Sequence, residues 1–474
     1  MHSNTQPSYI ETLPAEVLAR ILLLLKRDQD RENIGEGYGS PLEPVADVLT
    51  QVSRCFRNVA RGCALLWTTV AVEQATPVDR VQAYCLLSGS APLSLRIHLD
   101  EKWRASPPKV DHVFKLLNTL LGHSHRWQSL SLYLGRECTV ERSVVAYLCT
   151  SAAPILKYFT LSISGIDTID TTVAFSTPTM PTVFAQGTDG ISTLRLRGLA
   201  IHAFRPPLQK ITTLHLDGTL PVPISYEAFT DILTTPWHLT RLSVYGDAVY
   251  NWPVVYNPLS AISVPKLESL RIHSNDGVAF QGILLNINAP LLRSLALKSM
   301  MENDLGDAGA LSVSLPQVED LAFGDFDLSE VGYAVVVRVF PSIETFRLGH
   351  TTLGASKAFK VLSTVLDPGH GPLGAVPVPW PRLQTLQIGV DTQDEPWLLQ
   401  DLLRNRREMG HPLSRVEAIT AQQDFDGRTE VEKWVAEAII GEELDVDVMW
   451  DRGEIRWPFH LDEDHVDSDD NLFD

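Results

Sequence analysis

The chain has 474 residues, of which 44% are hydrophobic and 20% are charged, and its formal net charge at pH 7 is −19. This length and apolar content allow a continuous hydrophobic core, and the overall acidity argues against a nucleic-acid-binding groove. No apolar run approaches the roughly 20 residues that a membrane-spanning helix needs, and no basic segment followed by an apolar one begins the chain. We therefore expect neither a membrane span nor a secretory signal.

The first seventy residues show helical periodicity, which predicts a helical module over residues 9–73. Pro14 stands in the first turn of the first helix, where a missing N–H costs nothing. The apolar residues on one stripe of that helix are Leu13, Val17, Leu18, Ile21 and Leu22. The apolar residues that mark the later helices and the close of the segment are Leu49, Val52, Phe56 and Trp67. A polar stretch from Arg27 to Glu43 contains three glycines and a proline, and we expect it to be an inserted loop.

From residue 127 onward a short motif recurs ten times: an apolar residue, two spacers, an apolar residue, one spacer and an apolar residue. Its central residues are Leu130, Phe159, Leu194, Leu214, Leu242, Leu270, Leu295, Leu321, Phe346 and Leu386. They lie 20 to 40 positions apart, and most spacings fall in the band expected when one strand and one return segment form each turn of a solenoid. A single copy is a weak signal, because any half-buried strand alternates in this way, but ten copies in series are strong.

The repeats predict an α/β solenoid over residues 80–460, with parallel strands on a concave face and helices and loops on the convex side. The residues predicted to share its core are Leu130, Leu161, Leu196, Leu214, Leu242, Leu270, Leu295, Leu321, Phe346 and Leu386. Prolines predict turns before six strands, at Pro154, Pro265, Pro290, Pro316, Pro341 and Pro381. The segments with helical spacing are Val110–Leu121, Tyr226–Leu233, Ser356–Leu366, Pro396–Arg407 and Thr429–Ile440.

The end of the chain carries a large share of the negative charge. From Gly441 onward thirteen Asp or Glu residues stand against two Arg, which leaves −11 in 34 residues. The alternating apolar residues Leu444, Val446, Val448 and Trp450 predict a last strand. We expect residues 461–474 to be an acidic, disordered tail.

Motifs for catalysis or metal binding are weak in this sequence. Gly369-His-Gly371-Pro-Leu-Gly374 lies among prolines, so we expect a loop and no dinucleotide site. His123 and His125 lack a third ligand, which favours a surface loop over a metal site. We predict no catalytic residue, metal or cofactor. The five cysteines have no Cys-x-x-Cys spacing, and we expect them to be reduced in the cytoplasm or nucleus.

The N-terminal segment resembles the F-box, whose hallmarks are a Leu-Pro opening, an apolar helix, an aromatic-bearing helix and a Leu-Trp close. In that family the F-box docks on the Skp adaptor, and through it on a cullin, within an SCF-type ubiquitin ligase. The positions that the resemblance assigns to adaptor binding are Leu13, Pro14, Val17, Leu18, Ile21, Leu49, Val52, Phe56 and Trp67. The family commonly has Trp at the place of Phe56. If the module binds an adaptor, Pro14, Val17, Leu18 and Leu49 should be partly exposed.

The later motifs resemble leucine-rich repeats, most closely at Leu267-Glu-Ser-Leu270-Arg-Ile272-His-Ser-Asn275. An F-box followed by irregular leucine-rich repeats is similar to the fungal F-box-like proteins, in which the repeats hold the substrate. The resemblance implies a substrate-recognition subunit that binds a target protein and has no chemistry of its own. Two other interpretations stay open: a scaffold with an F-box-like cap and no ligase connection, or a helical segment that only seals the solenoid.

The spacer residues of the strands should line the concave face, because successive side chains alternate across a strand. The basic residues at these positions are Arg195, Arg197, Arg241, Arg271, Lys298 and Arg347, and the acidic ones are Asp217 and Asp320. The excess of positive charge fits an acidic or phosphorylated target, since guanidinium groups match carboxylate and phosphate. Alternatively, long basic side chains simply pack their stems on an exposed sheet.

Overall fold

The computed structural model describes residues 10, 13–35, 44–73, 75–99, 107–135, 144, 147–163, 183–184, 186–188, 190–198, 200–203, 207–217, 223–253, 261–273, 277–299, 315–324, 328–349, 356–364, 378–389, 396–420, 433 and 445–450. The fold is mixed α/β, with parallel strands that pair in chain order. The chain divides into two compact units, one built on residues up to Leu214 and the other on His215–His460.

The first unit begins with helices and continues with parallel strands. Its helices are α1 (Ala15–Gly35), α2 (Val45–Val52), α3 (Arg54–Gly62), α4 (Val78–Leu87), α5 (Pro107–Leu121) and α6 (Ala200–Ala203), with short 3-10 helices at Ala64–Trp67 and Ser124–Arg126. Its strands are β1 (Thr69–Glu73), β2 (Leu93–Leu99), β3 (Trp127–Leu134), β4 (Tyr158–Ile163) and β5 (Thr193–Gly198). Each strand pairs in parallel with the next. Strand β6 (Thr213–Asp217) lies at the division between the units.

The second unit continues the alternation of strands and helices. Its main strands are β8 (Arg241–Tyr245), β11 (Ser269–His273), β13 (Ser294–Lys298), β14 (Asp320–Gly324), β15 (Thr345–Leu348), β16 (Thr385–Gly389), β17 (Arg415–Thr420) and β18 (Asp445–Trp450). Its helices are α7 (Tyr226–Thr234), α8 (Gly277–Asn286), α9 (Glu330–Val339), α10 (Ser356–Ser363) and α11 (Pro396–Glu408). Two small parallel pairs complete it: β7 (Ile224–Ser225) with β9 (Val249–Tyr250), and β10 (Ile262–Ser263) with β12 (Ile287–Asn288).

The recurring motif produces these strands because its apolar residues alternate inward. In register, Leu242 on β8 aligns with Leu270 on β11 and Leu295 on β13. All ten predicted core residues are buried, from Leu130 to Leu386. Backbone bonds between successive turns continue the ladder: Glu268 N–H donates to Thr240 O and Arg293 N–H to Glu268 O, both at 2.9 Å. The six prolines do lie in turns before their strands.

Four predicted helices are confirmed with small shifts at their ends. α5 starts at Pro107, α7 ends at Thr234, and α11 ends at Glu408. α10 ends at Ser363, and residues 365–366 are outside the described part. Of Thr429–Ile440 the structure describes only residue 433. The predicted last strand is β18, whose Asp445 pairs with Arg415 of β17. The motif at Gly369–Gly374 and the tail 461–474 lie outside the described residues.

The predicted loop between the first two helices is wrong for its first half. Helix α1 continues through Arg27 to Gly35, so it is 21 residues long. Arg, Gln and Glu are good helix formers and occupy four of the nine positions from Arg27 to Gly35, so the polar composition alone did not indicate a loop. Near the end of the helix the Gln29 Oε1 accepts a hydrogen bond from the Val45 N–H at 2.8 Å, which ties α1 to the start of α2. Residues 36–43 are outside the described part.

Candidate interaction surfaces

The interior of the N-terminal module is built from part of the predicted adaptor-binding set. Leu18, Leu49, Phe56 and Trp67 are buried. The Trp67 Nε1 donates to Ala60 O at 2.8 Å, and its ring meets Tyr84 edge-on with centroids 5.0 Å apart. These residues hold the module together.

The expectation that Leu18 and Leu49 are partly exposed is wrong. Leu18 is 0% and Leu49 6% exposed. The physical reason is helical periodicity: Leu18 shares the inner side of α1 with Leu22, and Leu49 shares the inner side of α2 with Ala46, where α1, α2 and α3 contact one another.

Other apolar side chains of the module face outward. Pro14 and Val17 at the start of α1 are exposed, and Val52 at the end of α2 is exposed by 58%. Leu13 and Ile21 are partly exposed. Leu24, Leu25, Val48 and Leu65, which sequence reasoning did not assign, are exposed as well. The spacing of Val17, Ile21 and Leu24 places them on one stripe of α1, a signal that was available in the sequence.

The spacer residues of β8, β11 and β13 form a regular grid on the face of the sheet opposite the aligned leucines. Register pairs Arg241 with Ser269 and Ser294, then Ser243 with Arg271 and Ala296, then Tyr245 with His273 and Lys298. Arg241 is exposed, and Arg271 and His273 are partly exposed. The His273 ring meets the Tyr245 ring edge-on at 5.6 Å between centroids.

Part of this face is less accessible than the alternation predicted. Lys298 is only 8% exposed and Asp217 only 2%. Lys298 lies on an inner strand, with His273 in register on one side and Gly324 on the other. Ala296 and Ala322 on the same face are also buried. The prediction that the spacer residues are exposed is therefore wrong for Lys298 and Asp217. Arg195 and Arg197, in the first unit, are partly exposed.

Two arginines of the face already have carboxylate partners. The Arg347 Nη1 lies 2.9 Å from the Asp320 Oδ2, and the Arg415 Nε lies 2.8 Å from the Glu417 Oε1. Burial raises the pKa of Asp320, although Arg347 and a hydrogen bond from Ser294 oppose the shift. Arg241 and Arg271 have no such ion pair within the described part of the chain. They are the basic residues of this face with charge available to a partner.

Catalytic or metal-binding geometry is weak where the chain is described. No group of three or more His, Cys, Asp or Glu side chains there could hold a metal ion, and no described helix is long and apolar enough to cross a bilayer. The Ser299 Oγ lies 3.2 Å from the His273 Nε2, and Ser299 has a φ of 60°. Gly246, directly after β8, has a φ of 62°. Both β8 and β13 are thus followed by a residue in the left-handed conformation. The contact between Ser299 and His273 is therefore part of the turn that follows β13.

No protein-family model matches the chain, and no curated protein matches it at a significant level.

Proposed function

We propose that the protein is the substrate-recognition subunit of an SCF-type ubiquitin ligase, in which the F-box-like module docks the Skp adaptor and an irregular leucine-rich-repeat solenoid binds a target protein. The observation that carries the proposal is the uncovered apolar surface of the module. Val17, Leu24 and Leu25 on α1 and Val48 and Val52 on α2 are each more than 40% exposed. Apolar side chains grouped on the surface of a small helical module usually mark an interface.

The repeating strands support the second half of the proposal. Parallel strands that pair in chain order, with a helix or turn between them, suit a solenoid that presents one face of its sheet to a partner. In this account the protein carries out no chemistry itself and binds no cofactor. It would act in the cytoplasm or nucleus, where the four described cysteines, Cys55, Cys63, Cys85 and Cys149, would stay reduced.

A scaffold without a ligase connection is the second candidate. The observation in its favour is the burial of Leu18, Leu49, Phe56 and Trp67. Because these residues pack the module internally, the same sequence pattern would serve a cap on the first strands equally well.

A pull-down with purified Skp adaptor separates the two candidates. Val17→Asp combined with Val52→Asp should abolish adaptor retention, because both charges would be buried in the interface. Replacing Leu13 and Pro14 with Ala should also abolish it. Leu86→Asp is the matched control, since Leu86 is 80% exposed on α4, outside the proposed surface. Equal retention by the wild type and the Val17/Val52 variant, with unchanged circular dichroism, would contradict adaptor docking on this surface.

A further inference from the structure

Arg241 and Arg271 lie on neighbouring strands, in the same relative position as the two residues of a salt bridge on β14 and β15. Arg241 of β8 is in register with Ser269 of β11, and Arg271 of β11 is in register with Ser243. The two arginines are thus diagonal neighbours, with Cα atoms about 8 Å apart from strand spacing and rise. On β14 and β15 the same diagonal joins Asp320 to Arg347, because Asp320 is in register with Thr345 and Ala322 with Arg347.

The two diagonals differ in charge. The Asp320–Arg347 diagonal closes to 2.9 Å between charged atoms, so side chains in this relationship can meet. At the other diagonal both residues are arginines, so like charges replace the opposite charges of Asp320 and Arg347. Like charges that meet across strands destabilise a sheet, and long side chains at diagonal positions are within reach of each other. Arginine cannot lose its proton to relieve the repulsion.

Among the described residues, the strand positions around the arginine diagonal supply no exposed carboxylate to neutralise it. The other face positions of β8, β11 and β13 are Ser243, Tyr245, Ser269, His273, Ser294, Ala296 and Lys298, none of which is acidic. Asp217 at the end of β6 carries a carboxylate but is only 2% exposed. Arg241 is exposed and Arg271 partly exposed, so an outside group can reach both.

We propose that Arg241 and Arg271 together bind a carboxylate side chain from an acidic segment of the target protein, with the carboxylate placed between the two guanidinium groups. The inference rests on the proposed function, in which this face holds the target. A carboxylate is the favoured ligand because two other arginines of the same face, Arg347 and Arg415, already pair with the carboxylates of Asp320 and Glu417. Arginine forks bind carboxylates with paired hydrogen bonds, and one carboxylate has oxygens enough to meet both groups.

The substitution Arg241→Asp tests the proposal, which predicts that it will raise the stability of the protein and lower its affinity for an acidic peptide. It restores the Asp–Arg diagonal seen at Asp320 and Arg347, so the midpoint of thermal unfolding of the full chain should rise by about 1–3 °C. It also removes half of the binding site and repels an acidic ligand. Affinity for a synthetic peptide in which glutamate alternates with serine, measured by fluorescence anisotropy at about 0.15 M salt, should fall about tenfold or more.

Arg415→Asp is the matched control. Arg415 stands in the same register row as Arg241, through Ser269, Ser294, Asp320, Thr345 and Thr385. The substitution changes the net charge equally but places a second carboxylate beside Glu417, so the unfolding midpoint should fall. Peptide affinity should stay within about twofold of wild type, since long-range charge effects are screened. Arg241→Gln, which only removes the charge, should lose peptide binding without repelling the ligand.

The outcomes distinguish this inference from the ligase proposal. Absence of binding to the glutamate peptide, equal losses in the Arg241 and Arg415 variants, or binding only to a matched phosphoserine peptide would overturn the carboxylate site. A lower unfolding midpoint for Arg241→Asp would contradict the repulsion between Arg241 and Arg271 on which the carboxylate site rests. Adaptor retention by the same variants should not change. Loss of adaptor binding in the wild type, with peptide binding intact, would overturn the ligase proposal alone.

Discussion

Asp320 is paired with an arginine, and nevertheless the pKa of its carboxyl is raised in the folded protein. Its Oδ2 lies near Arg347 and accepts a bond from Ser294, but its Oδ1 is buried without a hydrogen-bond partner. Burial is the largest influence, and it raises the pKa of Asp320 above the ordinary value of an aspartate side chain. A partly buried ion pair can therefore be less favourable than its short distance indicates.

The raised pKa of Asp320 predicts a pH-dependent difference between the wild type and Asp320→Asn. Because the folded state holds the proton more tightly, the stability that this group contributes is present below about pH 4 and is lost as pH rises through its folded pKa. Relative to Asp320→Asn, the wild type should lose free energy of unfolding between pH 4 and pH 7. Urea unfolding at the two pH values measures this, with Asp79→Asn as an exposed control. A pH-independent difference, or a relative gain by the wild type, would contradict the argument.

Contacts between residues far apart in the chain were not predictable from the sequence. The ring of Trp252 packs directly against Gly282 in α8, at a place where any side chain would collide with it. The same ring meets Phe229 of α7 edge-on, with centroids 5.6 Å apart. No local periodicity links these three positions, because the contact depends on how the connecting segments bring α7 and α8 together.

At the scale of elements, periodicity predicted most strands and helices. The central residues of the ten motif copies all lie in strands, and the helices near Val110, Tyr226, Ser356 and Pro396 are present. The extension of α1 to Gly35 was missed because a polar helix has no apolar stripe to reveal it. Strand β17 was also missed, since its motif carries Ala418 in place of a larger apolar residue.

Arg126 joins elements that are distant in the chain, and we predict that it stabilises the first unit. It is 6% exposed and donates from Nε and Nη2 to Ala91 O, from Nη1 to Cys85 O and from Nη2 to Ser88 Oγ. These bonds tie the end of α4 and the turn before β2 to the start of β3. Arg126→Ala removes all of these bonds, so the free energy of unfolding should fall by about 2–4 kcal/mol in urea titration.

Two comparisons make the Arg126 prediction specific. Arg80→Ala breaks the exposed pair with Asp47, and it should lower the free energy of unfolding by less than about 1 kcal/mol. Arg126→Lys keeps the charge but cannot reproduce the planar fork, so it should recover less than half of the loss. Equal effects of Arg126→Ala and Arg80→Ala would show that the buried bonds do not stabilise this unit.

At the scale of the whole molecule, the sequence predicted a series of repeats more reliably than it predicted which faces are open. Alternation assigns side chains to one of two faces, but exposure also depends on neighbouring strands. Lys298 and Arg241 were expected on the same open face, yet Lys298 is buried and Arg241 is exposed. Likewise, which N-terminal residues lie inside and which lie on the surface depends on how α1, α2 and α3 pack together, and the sequence alone does not give that packing. Leu18 and Val17 are adjacent in the chain and lie on opposite sides of this division.

The most direct test of the account is affinity purification of the full chain from its native cells, with mass spectrometry, with and without proteasome inhibition. We expect the wild type to retain the Skp adaptor and a cullin, and to retain additional target proteins when the proteasome is inhibited. The Val17→Asp/Val52→Asp variant should lose the adaptor and the cullin but keep the targets, because the altered residues lie on the helical module only. A wild type that retains partners but neither adaptor nor cullin would contradict the ligase role and leave a scaffold.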